Sequence, residues 1–490
     1  MLLLAPFAAT LSACAVGPDF VRPSPPEVAG YTAEPVPVAT ASAAIAGGDA
    51  QRFFSGAEVP GQWWTQFGSG VLDGLVRQAL AANPDLEAAQ ATLRQVQENY
   101  YATRAALFPA VGADASIQRN QASPQTGDAL LTLYNASVGV SYLLDVFGAN
   151  RRAIEASGAL LDIQRFQLEA TYLTLIANVL TAAIQDASLT AQIAAVQEII
   201  ALQTQALNLM TQQFELGAVA RGDVLAQQSQ LTQTQASLPS LQKQLALVRT
   251  QLAVLLGRFP AQGMVPAVSL ADLRLPQELP LSLPSQLVDQ RPDVRASEAA
   301  LHQASAEIGI ATAAMLPQFT LTGSVASATN SAAGSDGLFA ADTLGWNLGA
   351  GVTAPIFEGG RLSRQRQAAL YAYDSAAAQY RGTVLVAFAD VANVLDALRY
   401  DAEALRAQQV AEETAAQSLE ITTERFRAGA IAYLPLLDAQ RTYQQARIAL
   451  VQAQAARFAD TVALFQALGG GWWNREDVVP GTRERPFPIP

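Results

Sequence analysis

The spacing of apolar residues changes along the chain, and the first clear spacing is that of a long helix. Residues 149–216 contain no proline and one glycine, Gly158, which predicts a single helix of about 100 Å. In its second half, mostly apolar residues recur at alternating steps of four and three. They form one stripe along the helix, the seam of a coiled coil. The seam residues are Leu189, Ile193, Val196, Ile200, Gln203, Leu207, Met210 and Phe214. Residues 231–255 repeat this alternation, so residues 149–256 predict an antiparallel helical hairpin that turns at Gly217.

Four shorter segments instead alternate between apolar and polar residues, the period of a β-strand with one apolar face. They lie at 111–119, 134–144, 318–327 and 345–355. Their polar faces are small and uncharged, a pattern typical of transmembrane β-barrels. An ordinary half-buried antiparallel sheet shows the same alternation. No amphipathic helix is available to cover the apolar face, which favours the barrel.

Four strands cannot close a barrel, and lipid does not tolerate an open sheet edge. A barrel built from these segments therefore has to be shared between copies of the chain. Two, three or four copies would supply enough strands for closure, and the pattern does not choose between them.

The second half of the chain repeats motifs of the first half in the same order. The repeated pairs are Asn83-Pro84-Asp85 and Arg291-Pro292-Asp293, Ala106-Leu107-Phe108-Pro109 and Ala314-Met315-Leu316-Pro317, Phe214-Glu215-Leu216-Gly217-Ala218 and Phe426-Arg427-Ala428-Gly429-Ala430, and Leu256-Gly257 and Leu468-Gly469. Each copy predicts a helix, a strand pair and a helical hairpin. We therefore expect repeat 1 at 61–257, a proline-rich connector at 258–290, repeat 2 at 291–469 with its hairpin at 360–468, and a tail at 470–490.

The N-terminus indicates export and lipid attachment. Residues 1–13 have the apolar core and small-residue end of a signal peptide. Cys14, the single cysteine of the chain, follows Leu11-Ser12-Ala13 and so matches a bacterial lipobox. Residues 14–60 are rich in proline, alanine and glycine, and we expect them to form an extended, lipidated tether.

Composition excludes several classes of protein. With 50% apolar and 15% charged residues, the chain is not disordered, and its net charge of -12 argues against binding to nucleic acid. One cysteine and one histidine, His302, cannot build disulfides or a zinc site. We expect His302 to be a packing or surface residue on a short helix. No catalytic or phosphate-binding motif is present, so neither an enzyme nor a cofactor is predicted.

Several motifs together resemble one known family. They are the lipobox, Gly17-Pro18-Asp19-Phe20-Val21-Arg22-Pro23, Trp63-Trp64, Ala82-Asn83-Pro84-Asp85-Leu86 and Tyr433-Leu434-Pro435-Leu436-Leu437-Asp438-Ala439-Gln440. With the internal repeat, they make the chain similar to the TolC-like outer-membrane factors, nearest the OprM-like, NodT-type efflux lipoproteins.

The resemblance implies a mainly α-helical homotrimer in the outer membrane of a Gram-negative bacterium, projecting into the periplasm. It implies a coiled-coil α-barrel and a twelve-stranded antiparallel β-barrel, with four strands from each chain and the connector in an equatorial belt. The implied function is a passive exit duct for small molecules. The implied partners are a periplasmic adaptor, an inner-membrane transporter of the RND type and outer-membrane lipid.

The resemblance also implies a gate at the periplasmic end of the helices. Asp438 and Leu434 fall on an acidic and an apolar ring, and three converging Asp438 side chains would repel one another and prefer cations. Asp223, with Arg221 beside it, matches an acidic partner in the gate. Asp438 on a solvated helix face and Asp223 as a helix N-terminal carboxylate are the alternative interpretations.

Two further sets of positions come from the same resemblance. TolC-like members close the gate through hydrogen bonds and salt bridges of a tyrosine, an arginine and an aspartate. The corresponding residues here are Phe426, Ile431 and Pro435, so this set of polar contacts, the polar latch, is largely missing. The adaptor would dock on the hairpin tips. The tip residues are Leu216, Gly217 and Ala218 in the first hairpin and Ala428, Gly429 and Ala430 in the second. Simple turn chemistry also accounts for both glycines.

A different class of protein shares part of this pattern. A periplasmic coiled-coil adaptor or structural lipoprotein without a pore would also carry helical hairpins and a lipid anchor. It does not need four amphipathic strands or a doubled hairpin, and the sequence therefore favours the channel.

Overall fold

The computed structural model describes residues 15–121, 130–263, 266–330 and 337–475. The predicted signal peptide and Cys14 lie outside these ranges, as does most of the predicted tail. The chain forms two compact units, each built from separate segments. Unit 1 comprises the described residues of 1–23, 93–164 and 296–381, and unit 2 those of 24–92, 165–295 and 382–490.

Helices dominate both units. They are α1 (Gly70–Ala82), α2 (Pro84–Arg104), α3 (Ala149–Glu215), α4 (Arg221–Leu255), α5 (Pro284–Gln290), α6 (Pro292–Ala313), α7 (Arg361–Arg427) and α8 (Tyr433–Ala467). Proline opens α2 and α6, where its missing N–H costs nothing. The side-chain oxygen of Asn83 accepts bonds from the backbone N–H groups of Asp85 and Leu86, which fixes the start of α2.

Unit 1 contains a four-stranded antiparallel sheet in the order β2 (Ala110–Gln121), β3 (Leu130–Leu144), β5 (Gln318–Asn330) and β6 (Leu344–Thr353). The predicted strand at 345–355 is wrong at its end, because β6 stops at Thr353 before Pro355, which has no N–H for the ladder. Among the described residues, the edge strands β2 and β6 each have one side without a neighbouring strand.

One face of this sheet is apolar and open. The register aligns Val138, Val325 and Trp346 across β3, β5 and β6, and Val140 pairs with Gly323 beside Leu348 in the same way. Trp346 and Leu348 are 76% and 80% exposed. An apolar face of this size without a cover indicates contact with lipid or protein.

The long helix α3 contains a strongly apolar stretch. It contains an 18-residue window of mean hydropathy 1.3, long and apolar enough to cross a membrane. However, 67% of that window is buried inside the protein, so its side chains serve internal packing.

The described part of the N-terminal segment, predicted to be an extended tether, packs against both units. In unit 1, Arg152 is 5% exposed and forms ion pairs of 2.7 Å with both Asp19 and Glu155. Phe20 stacks on His302 with ring centroids 4.4 Å apart, and His302 Nε2 lies 2.9 Å from Glu155. His302 is therefore a packing residue.

In unit 2 the same segment contributes a strand. β1 (Arg52–Ser55) pairs in parallel with β4 (Glu278–Leu281), which lies in the predicted connector. Gln51 is fully buried and donates bonds of 3.0 Å to the Pro276 carbonyl and the Thr461 hydroxyl. Sequence composition missed this packing because its partners lie far away along the chain.

A half-buried carboxyl pair in unit 2, Asp401 and Asp460, is expected to make stability depend on pH. Burial and a hydrogen bond with Asp401 raise the pKa of Asp460 from 3.8 to about 7, while burial lowers the pKa of Arg457. A carboxyl whose folded pKa is raised stabilises the fold most below its unfolded pKa, and that contribution disappears as pH rises through the folded pKa.

We therefore expect the stabilising effect of Asp460, relative to the Asp460→Asn variant, to fall as pH rises from about 5 to about 8. The expected fall in the difference of unfolding free energies is roughly 1–3 kcal/mol. Denaturant unfolding of both proteins across this range measures it. Asp374→Asn, at an exposed carboxylate of α7, provides the control for the removal of one charge. A difference that is constant with pH contradicts the assignment.

Candidate functional site at the helical tips

Both helical hairpins of unit 2 turn through the same backbone motif. At the first tip, between α3 and α4, Ala218 N–H donates to the Gln213 carbonyl at 2.8 Å and Gly217 N–H to that of Phe214 at 2.9 Å. At the second tip, between α7 and α8, Ala430 donates to Arg425 and Gly429 to Phe426, both at 2.9 Å. These paired bonds are the Schellman closure, which satisfies carbonyl groups at the end of a helix.

The two tip glycines are required by backbone conformation. Gly217 and Gly429 have φ of +74° and +68°, in the left-handed region that costs other residues roughly 1–2 kcal/mol. No atom lies within 4 Å of a Cβ placed on either glycine. A side chain at these positions would therefore project into open space. All six predicted tip residues are exposed, and Leu216 is 84% exposed.

An apolar cluster lies behind the second tip and joins three helices. Its buried members are Met210 of α3, Phe426 of α7, and Tyr433, Leu436 and Leu437 of α8. The rings of Phe426 and Tyr433 meet edge to face with centroids 6.2 Å apart. We call this group the tip cluster. It holds the ends of α3, α7 and α8 together by burial of apolar surface.

A set of amide hydrogen bonds joins α4 to α8 beside the tip cluster. The Tyr433 hydroxyl of α8 donates to Gln227 Oε1 of α4. Gln227 Nε2 in turn donates to the backbone carbonyl of Gln203, on α3, at 2.9 Å. Arg441 Nε donates to Gln230 Oε1 at 2.7 Å. Burial raises the pKa of the Tyr433 phenol well above its ordinary value, Arg441 opposes the rise, and Asp223 adds to it. Tyr433 therefore stays a neutral donor at physiological pH.

The predicted gate residues lie near the tip cluster, on the first turns of α4 and α8. Leu434 and Asp438 are both exposed and lie one turn apart on α8. Asp223 is half-buried at the start of α4, and Arg221 is exposed. Within the described residues no ion pair joins Arg221 to Asp223. In the single chain the four side chains therefore form no closed cluster.

The three residues at the positions of the polar latch make no polar latch here. Phe426 is buried in the tip cluster and Ile431 packs against it, while Pro435 is exposed in the first turn of α8. Sequence reasoning missed Met210 and Gln227 as members of this region. The signal for Met210 was present, because it occupies a seam position, but its contact with the second hairpin is not encoded in local spacing.

Clustered metal ligands are absent from the part of the chain that the structure describes: no group of three or more His, Cys, Asp or Glu residues could hold an ion. The described tip region offers apolar packing, hydrogen bonding and exposed carboxylates.

Comparison with known proteins gives consistent matches over nearly the whole chain. Residues 75–258 and 283–470 match the family described as outer membrane efflux protein. The pyoverdine export outer membrane protein OpmQ of Pseudomonas putida is 32% identical over 420 residues, 84% of this chain and 88% of that protein. The toluene efflux pump outer membrane protein TtgC of Pseudomonas putida is 30% identical over 482 residues, 97% of this chain and 96% of that protein.

Solved structures agree with these matches. The structure of the outer-membrane channel OprN superposes with a TM-score of 0.83 at 27% identity, covering 94% of this chain and 100% of that chain. The matches support a channel and give no support to an adaptor without a pore.

Proposed function

Because this chain belongs to the outer membrane efflux protein family, we propose that three copies of it form the passive exit duct of a tripartite efflux system. The family consists of outer-membrane efflux channels of Gram-negative bacteria, which work with an adaptor and an inner-membrane pump. The predicted resemblance, the channel function and the outer-membrane location are thereby confirmed. The trimer, the closed barrel, the gate and the lipid anchor are proposals.

The open four-stranded sheet carries the proposal. Its apolar face suits lipid, and its edge strands β2 and β6 must find partners before the sheet can enter a bilayer. Pairing of β6 in one copy with β2 in the next removes every edge, and three copies give a barrel of twelve strands. Sharing strands between copies couples barrel closure to assembly of the oligomer.

A lipid on Cys14 would reach the same membrane. Val16 N–H donates to the Phe147 carbonyl at 3.0 Å, between the end of β3 and the start of α3. Arg152 Nε also binds the Val16 carbonyl. Cys14 would therefore be held within two residues of a fixed point beside the sheet, where an acyl chain adds a second membrane attachment.

The proposed function is tested by ion conductance of the purified protein in planar lipid bilayers. A trimer with a barrel should give discrete channels after insertion, and cross-linking should give a trimeric species. A protein that stays water-soluble and gives no conductance in any lipid composition would overturn the channel and leave the adaptor-like alternative.

In a trimer, α4 and α8 would line the periplasmic end of the duct, with Asp438 and Leu434 facing the axis. Both side chains are exposed in the single chain, which leaves them available for such rings. Converging carboxylates favour cations and oppose anions at the constriction.

We expect Asp438→Ala to raise single-channel conductance and entry of large antibiotics about two- to fivefold, because the smaller alanine side chains widen the proposed constriction. Bilayer recordings and antibiotic susceptibility measure the effect. Glu413→Ala, at an exposed carboxylate of α7, is the matched control. Equal conductance of Asp438→Ala and wild type would show that Asp438 lies on a solvated helix face and not in a gate.

The tips are the proposed docking site for the adaptor. Two substitutions of similar size at Gly217 can distinguish a role in docking from a role in the turn. Asparagine tolerates the left-handed conformation of Gly217, whereas valine does not. We expect both Gly217→Asn and Gly217→Val to lose most efflux while keeping trimers, because both add bulk to an exposed tip. Drug-susceptibility assays with cross-linking measure this. If Gly217→Asn keeps full efflux and only Gly217→Val fails, the glycine serves the turn alone.

A further inference from the structure

The internal repeat relates contacts inside one chain to contacts that a second copy can make. In α2 and α6 the repeat aligns Pro84 with Pro292 and runs without a gap to the first strand of each pair. α3 and α7 are both 67 residues long, and they directly follow Gly148 and Gly360, whose φ angles are +80° and +85°. Each position of α2 and α3 therefore has an equivalent in α6 or α7.

Within unit 1, α3 of the first repeat packs against α6 of the second. A Cβ placed on Gly309 would lie 2.8 Å from Arg152 Cγ. Further along the same pair of helices, Glu155 Oε1 lies 2.9 Å from His302 Nε2. Ala306 lies between Gly309 and His302 on the same face of α6 and is fully buried. One face of each helix is therefore covered by the other repeat.

The equivalent surfaces of α7 and α2 are open in the single chain. Arg364, Ala368 and Tyr371 are exposed on α7, whereas their equivalents on α3 are buried. On α2, Glu98 is exposed at the position that corresponds to the buried Ala306. These two surfaces lack the cover that their equivalents have, and a second copy of the chain can supply it to both.

The charge on α7 also lacks a partner on its own chain. In the first repeat, Arg152 forms ion pairs of 2.7 Å with both Asp19 and Glu155. The equivalent of Glu155 on α7 is the uncharged Gln367. Among the described residues, Arg364 forms no ion pair and no side-chain hydrogen bond. Its guanidinium is therefore free to pair with a carboxylate of another copy.

The position that faces Arg364 by this equivalence is Tyr101, which corresponds to Gly309, and Glu98 lies one turn away on the same face of α2. Glu98 is likewise free of ion pairs among the described residues. The two open surfaces thus carry opposite charges at matching places, and complementary charges favour one partner and one register.

We propose that α7 of one copy packs against α2 of the next copy as α3 packs against α6 within the chain, and that Arg364 pairs with Glu98 of that next copy. This inference rests on the trimer of the proposed function and adds which helices and side chains join its copies. Because the two surfaces differ, each copy uses one of them toward each neighbour, and the arrangement closes into a ring.

A change of residue size fits the same interface. In the first repeat the N-terminal segment lies directly on α6, since a Cβ placed on Gly17 would be 2.4 Å from Gly309 Cα. The equivalent residue on α2 is Tyr101, whose side chain has the volume to replace that segment. The contact between copies therefore closes without a second N-terminal segment.

Disulfide formation in the full-length protein in the outer membrane tests the contact. Arg364→Cys combined with Tyr101→Cys should give covalent trimers on a non-reducing gel of heated samples. The equivalent pair, Arg152 and Gly309, would have Cβ atoms within about 4.5 Å, the distance that a disulfide needs. Arg364→Cys with Arg94→Cys is the matched control, because Arg94 lies two turns from Tyr101 along the same face, about 10 Å away.

The outcomes separate this inference from the proposed function. Conducting trimers that cross-link through neither pair, or equally through both, would overturn the contact and leave the channel intact. A protein that forms no oligomer and no channel would overturn the proposed function and this interface together.

Exchange of the two charges tests the ion pair. Glu98→Arg and Arg364→Glu should each lower the temperature at which the trimer dissociates, by roughly 5 °C or more, because like charges then face each other. The double variant should recover most of this loss, which a general packing defect would not allow. Electrophoresis of samples heated in steps measures the dissociation. A double variant no more stable than either single variant would refute the pair.

Discussion

Replacing Leu348 by arginine is expected to abolish assembly in the outer membrane, whereas the same change at the neighbouring Asn347 is expected to be tolerated. Leu348 lies on the apolar face of β6 and is 80% exposed. Arginine on a lipid face costs about 2–4 kcal/mol near the bilayer midplane, and a trimer would incur that cost in every copy. Asn347 points to the other face, where it accepts a bond of 3.0 Å from the Ser324 hydroxyl.

The measurement is membrane fractionation followed by electrophoresis of unheated samples, in which an assembled trimer migrates apart from the monomer. Because the two substitutions are adjacent and identical in kind, a general folding defect would affect both. Assembly of Leu348→Arg at the level of Asn347→Arg would show that this sheet face does not meet lipid.

Replacing Phe426 by alanine is expected to open the second tip. Phe426 is 5% exposed in the tip cluster, and truncating a buried phenylalanine costs about 3–5 kcal/mol. If closure at rest depends on this packing, single-channel conductance should rise several-fold and cells should become sensitive to antibiotics too large for a closed duct.

The internal repeat provides the control. Phe214 occupies the matching position of the first hairpin but is 41% exposed. Phe214→Ala should therefore change both conductance and stability little. Equal effects of the two variants would show that the tip cluster is not part of the closure.

This contrast between Phe214 and Phe426 also marks the limit of sequence reasoning. Helices, strands and turns follow from local spacing, so the hairpins, the alternating strands and the tip glycines could be predicted. Phe214 and Phe426 share the same local motif, yet only one is buried. The difference depends on which side chains the other helices supply, namely Met210 and Leu436.

The same limit applies to the packed N-terminal segment. Proline, alanine and glycine predicted an extended tether, but Asp19 and Gln51 bind buried partners more than a hundred positions away along the chain. The alternation of apolar and polar residues did predict the apolar face of the sheet, because successive side chains of a strand point to opposite faces.

If the proposed trimer closes at the helical tips, the hydrogen bonds between α4 and α8 determine how that closure responds to salt. They run through the amides of Gln227 and Gln230, and the adjoining cluster is apolar. Contacts between oppositely charged side chains weaken as dissolved salt screens them, whereas amide bonds and apolar packing hardly respond. A closure of this kind would therefore keep its strength in both dilute and saline media.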